Sequence, residues 1–142
     1  MENKALEQAK SRLLAEGYTC VLTDGDKVYT STRRGVKPLV DFLQSETVFT
    51  GFFAADKVVG RATAYLYVLL GVEALYAQVI SKPAAAVLAE RGITVQCDTV
   101  VPNIINRAGD GICPFEAAVM DITDPQSAYA AILQKMEQMN IR

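Results

Sequence analysis

Two short runs, residues 47–55 (TVFTGFFAA) and 74–80 (ALYAQVI), are apolar on both faces that a β-strand presents. No other feature constrains the fold as much. A strand with one face in water alternates apolar and polar residues, whereas a strand apolar on both faces has to be covered on both. Between the two runs, residues 58–70 carry apolar side chains all round a helical axis. That predicts a helix covered on most sides. Strand, covered helix, strand is the repeating unit of α/β folds.

The flanking segments extend the pattern. Ala5, Leu6, Ala9, Leu13 and Leu14 recur at spacings of three and four and stop at Gly17, which predicts an amphipathic helix over 4–16. Two β-rich stretches, 18–23 and 28–31, flank Asp24-Gly25-Asp26 and predict a hairpin. A short helix over 38–44 starts on Pro38. Asp56 is expected to cap the long apolar helix, ended by Gly71. Ser81, with Pro83 behind it, is expected to cap a helix running to Arg91. Ile93, Val95 and Cys97 alternate with polar residues as a half-exposed strand, and residues 101–112 read as a loop. Cys113-Pro114 opens a helical turn, and Asp124-Pro125 starts a last helix over 127–139. The expectation is one domain over 1–142, a three-layer α/β/α fold with a mixed sheet.

Composition narrows the function. With 51% apolar residues and a net charge of −2, the chain can bury a large core. No basic run exceeds Arg33-Arg34, which argues against a general nucleic-acid binder. The most apolar stretch, 62–72, is far shorter than the roughly 20 residues of a membrane span. Cys20, Cys97 and Cys113 are odd in number and widely spaced, so no disulfide framework is expected. Met1-Glu2-Asn3-Lys4 runs directly into a polar helical pattern, and the cytoplasm is the expected compartment. There is no histidine. This removes Ser-His-Asp and Cys-His catalysis and histidine-ligated metal sites within one chain. No metal and no cofactor is expected, and acid–base work would fall to Asp, Glu, Lys, Tyr or Cys.

The order of elements, with Asp56-Lys57-Val58-Val59-Gly60-Arg61-Ala62 and the later Cys113-Pro114-Phe115-Glu116, resembles a family of small bacterial proteins with a cytidine-deaminase-like fold. The resemblance covers about residues 5–132 and implies architecture rather than activity. Zinc deaminases place His or Cys beside a catalytic Glu at one helix start and Pro-Cys-x-x-Cys at the next. Here the corresponding starts read Asp56-Lys57 and Ser81-Lys82-Pro83-Ala84, so the zinc chemistry does not carry over.

The resemblance also implies that the two central helix starts converge, with Asp56, Lys57, Gly60 and Arg61 facing Ser81 and Lys82. Paired helix N-termini offer free N–H groups and partial positive charge to a phosphate or carboxylate. Asn106 and Arg107, beside Gly109-Asp110-Gly111, are candidates for a clamp on such a ligand. The expected ligand is a small anionic metabolite or nucleotide. A rival is a metal-free enzyme using Lys57 or Cys113, with Asp56 or Glu116 as acid–base group. A third is a structural or interaction protein that forms a homodimer through a sheet edge or helix faces.

Overall fold

Residues 4–106 and 108–141 are described by a computed structural model. The amphipathic N-terminal segment forms α1 (Lys4–Glu16), and the hairpin forms β1 (Cys20–Thr23) and β2 (Val28–Ser31). Asp24 closes that hairpin by accepting from the N–H groups of Asp26 and Lys27 at 2.9 and 2.7 Å. Next come α2 (Lys37–Gln44), β3 (Phe53–Val59), α3 (Arg61–Leu70), β4 (Ala74–Ser81), α4 (Lys82–Glu90) and β5 (Thr94–Val101). The chain closes with α5 (Pro114–Ala118) and α6 (Pro125–Gln138), the latter capped by Asp124, whose carboxylate accepts from Ser127 N–H.

The strand order is β2-β1-β3-β4-β5. β1 runs antiparallel to both neighbours, while β3, β4 and β5 are parallel. The sheet is therefore mixed, with helices on both faces. On one face α1 lays Leu6, Ala9 and Leu13 over Val21, Ala55, Ala74 and Tyr76. The other face carries the larger core, where α3 is enclosed: Ala62, Thr63, Ala64, Tyr65, Leu66, Tyr67 and Leu70 are all buried. Gly71 ends α3 at φ 78°, in the left-handed region that favours glycine.

The structure corrects two expectations. Residues 47–52 are not strand. Phe49 and Phe52 fold back in a turn and pack edge-on against each other at 5.1 Å, with Tyr29 and Phe42 around them. Apolar side chains filling an aromatic cluster look, in sequence, like those of a buried strand. The strand starts instead at Phe53 and continues four residues beyond Ala55. Asp56 is consequently no helix cap. It lies within β3, paired in register with Cys20 and Ala77, and the helix begins only at Arg61 with Gly60 as its N-cap.

Candidate functional site

The parallel strands bring the two central helix starts to one end of the sheet. Val59 is in register with Ile80, and Ser81 with Val101. A single residue, Gly60, separates β3 from α3, and α4 follows β4 with no linker. Open α/β sheets bind their ligands at such carboxyl ends of parallel strands.

The start of α3 has no side-chain cap of its own. Its donors go to Glu116 on α5: the carboxylate accepts from Arg61 N–H at 2.6 Å and from Ala62 N–H at 2.8 Å. A carboxylate here satisfies two orphan donors and meets the positive end of the helix dipole. Gly60 makes room for it, since a Cβ there would stand 2.5 Å from Glu116 Oε1. At φ −97° any residue could adopt the backbone, so the glycine serves close approach.

Arg61 turns toward its own chain. Its guanidinium donates to the carbonyls of Met120 at 3.0 Å and Ile122 at 2.7 Å. Tyr65 hydroxyl donates to the same Ile122 carbonyl at 2.8 Å. The buried Arg61 Nε finds no acceptor among the described residues. Thus α3 holds the segment after α5 through the Arg61 side chain, and α5 itself through Glu116. Ser81, fully buried, behaves as the sequence predicts: its hydroxyl accepts from Ala84 N–H at 3.2 Å. Lys82 is exposed at the same helix start.

Asp56 faces the interior. Tyr67 hydroxyl donates to its carboxylate at 2.6 Å, Val58 N–H approaches at 3.3 Å, and Cys20 Sγ lies 3.3 Å from the tyrosine oxygen. With the Tyr67 proton committed to Asp56, the thiol donates to the tyrosine oxygen. Burial raises the Asp56 pKa to about 7, against the hydrogen bonds from Tyr67 and the backbone that favour its charged form. Burial also pushes the Tyr67 hydroxyl and the Cys20 thiol up.

The remaining candidates are dispersed. Lys57 is exposed on β3, four residues before α3 begins, and its backbone N–H bonds to Thr19 carbonyl at 3.2 Å. Asn106 braces its own loop, accepting from Gly109 N–H at 2.8 Å and donating to Asp110 at 2.9 Å. Arg107 lies outside the described residues. Cys113 is the half-buried N-cap residue of α5, a helix of five residues, and its side chain makes no cap hydrogen bond. Among the described residues, no three Cys, Asp or Glu side chains gather where they could hold a metal ion. The groups at the α3 start, backbone N–H groups, a guanidinium and one carboxylate already bound by two of those N–H groups, do not make a zinc donor set. Two shallow cavities of about 310 and 160 Å³ lie elsewhere, the first between α2 and the end of α6, the second beside Phe42, Val48 and Leu69.

A family profile described as a domain of unknown function (DUF1893), TM1506, matches residues 8–136. The chain belongs to the DUF1893 family. A crystal structure of a DUF1893 family protein from Thermotoga maritima at 2.70 Å resolution superposes with a TM-score of 0.86. The two are 28% identical, over 95% of this chain and 92% of the other. A search of curated proteins gives no match. In this DUF1893 chain, sequence reasoning missed Tyr67, Tyr65 and the pairing of Glu116 with Gly60. Asp56 inside a run of small apolar residues was the one available signal of a buried carboxylate. Nothing local to Gly60 or Glu116 announces a contact across 56 residues.

Proposed function

We propose that this DUF1893 domain is a binding module of cytidine-deaminase-like fold. It seats the anionic group of a small metabolite or nucleotide at the adjacent starts of α3 and α4. The observation that carries this reading is the carboxylate of Glu116, held by two backbone N–H groups in the gap left by Gly60. Glu116 stands in for the carboxylate or phosphate of a ligand and marks where such a group is best held. A ligand gains the seat by displacing it, with Lys82 at the neighbouring helix start adding positive charge. The strand order, an antiparallel hairpin beside three parallel strands, supports the deaminase-like fold. The residues at both helix starts argue against zinc deamination, because neither supplies the His, Cys and Glu set that this chemistry needs. Three unpaired cysteines support a reducing, cytoplasmic setting.

The test is a thermal-shift titration of wild type and Glu116→Ala with inorganic phosphate, AMP and ATP. Removing the internal carboxylate vacates the seat, so at least one anion should stabilise the variant more than wild type. A charge-assisted contact of roughly 1.5–3 kcal/mol corresponds to about a 10- to 150-fold gain in affinity. If none of the anions stabilises either protein, the seat is only an internal helix cap and the binding reading fails.

A further inference from the structure

The two edges of the sheet are unequal. β2 is four residues long, and short edge strands are poor templates for further pairing. β5 runs for eight residues, Thr94–Val101, paired with β4 along its inner side. No described segment pairs with its outer side. Natural sheets guard such an edge with lysine, proline or a bulge. β5 carries none of these side chains: five of its positions are Val or Thr, and Asp98 is its one charge. Even that charge is held against the sheet, where Tyr76 hydroxyl on β4 donates to it at 2.5 Å.

We infer that β5 pairs antiparallel with β5 of a second copy, joining two five-stranded sheets into one across a two-fold axis. The inference is independent of the anion seat. A second copy is favoured because the strand is complementary to itself in one register. A two-fold axis normal to the sheet pairs residues of like face, so it passes through a residue position. With the axis at Asp98 the two carboxylates oppose each other, which destabilises the pair. With the axis at Gln96 the pairing reaches only from Thr94 to Asp98. With the axis at Cys97 it reaches from Thr94 to Val100 and no like charges meet. Each Gln96 carboxamide then opposes an Asp98 carboxylate as a hydrogen-bond donor, Val95 opposes Thr99, and the two Cys97 side chains face each other.

Sedimentation equilibrium should give twice the chain mass of 15.4 kDa. Oxidation with diamide should yield a covalent dimer that Cys97→Ser abolishes and that Cys20→Ser and Cys113→Ser retain. Gln96→Glu sets a carboxylate against Asp98 twice and should weaken the dimer at least tenfold. Adding Asp98→Lys should restore it. Circular dichroism of each variant separates loss of pairing from loss of fold. A wild-type chain that stays monomeric at 100 µM overturns the inference. So does a dimer that neither cross-links through Cys97 nor responds to Gln96→Glu.

Discussion

Two helix starts stand side by side at the ends of β3 and β4, and they are finished in different ways. At α4 the cap is three residues from its donor: Ser81 hydroxyl accepts from Ala84 N–H. At α3 the cap comes from Glu116, 55 residues along the chain from Arg61. A local cap contributes to one helix and to little else. A remote cap makes the helix start a junction, because the same contact that ends α3 also docks α5. The α3 neighbourhood further rests on Asp56, in hydrogen-bond contact with Tyr67 in mid-helix. Two acidic side chains, Glu116 and Asp56, therefore contact α3, and the start of α4 uses a neutral hydroxyl.

The largest effect that would sharpen this contrast is a dependence on pH. Asp56 titrates near 7 in the folded chain, above the 3.8 of a free aspartate. Between those values the folded chain keeps a proton that the unfolded chain releases. Stability from this group is full at low pH, falls through the window and levels off above 7. The slope is at most about 1.4 kcal/mol per pH unit, a few kcal/mol in all. Denaturation of wild type and Asp56→Asn between pH 4.5 and 8 should show the decline in wild type alone. Parallel curves would place the titration elsewhere.

Next in size is Gly60→Ala. The added Cβ meets the flexible end of Glu116 at 2.5 Å and pushes the carboxylate aside, which should cost up to about 2 kcal/mol, mostly through the two loosened hydrogen bonds. In the double variant with Glu116→Ala the penalty should be far smaller than the sum, since the clash is gone. Additive costs in urea denaturation would mean that Gly60 and Glu116 act separately.

The two caps give the smallest effects and the most direct comparison. Both Glu116→Ala and Ser81→Ala should cost about 1–2 kcal/mol. They should differ in where the protection is lost. Hydrogen exchange in Ser81→Ala should quicken only in the first turn of α4. In Glu116→Ala it should quicken at Arg61 and Ala62 and across α5 together. If both variants loosen only their own first turn, the remote cap is no junction.

This contrast also explains how much was legible in advance. The α4 start could be read because Ser81 and Pro83 act on their immediate neighbours, and the hairpin because Asp24 closes its own turn. The α/β layering followed from strands apolar on both faces. The start of β3 was misplaced because apolar residues 47–52 serve an aromatic cluster, and hydrophobicity does not report which partner it finds. Asp56 read as a cap because aspartate before a helical stretch usually is one. Gly60 and Arg61 were expected within a helix beginning near Val58 and stand instead at its start, and their partners Glu116, Met120 and Ile122 are brought there only by the tertiary fold. An anion seat was expected between Asp56-Lys57 and Ser81-Lys82; Asp56 and Lys57 lie on β3, and the donors at the α3 start are taken by the chain's own Glu116.

The Arg61 fork and the Glu116 cap bear on the order in which the chain can be completed during synthesis. A nascent chain that has emerged as far as Ile112 already contains all five strands and four of the helices. It still lacks the carboxylate for Arg61 and Ala62 N–H and the carbonyls of Met120 and Ile122. The whole sheet thus leaves the ribosome before residues 113–122, which hold the first residues of α3, have left the exit tunnel. Until they arrive, α3 packs on the sheet, α2 and α4, but its opening turn lacks these hydrogen bonds. Chains stalled just before and just after this stretch would differ in whether that turn resists protease.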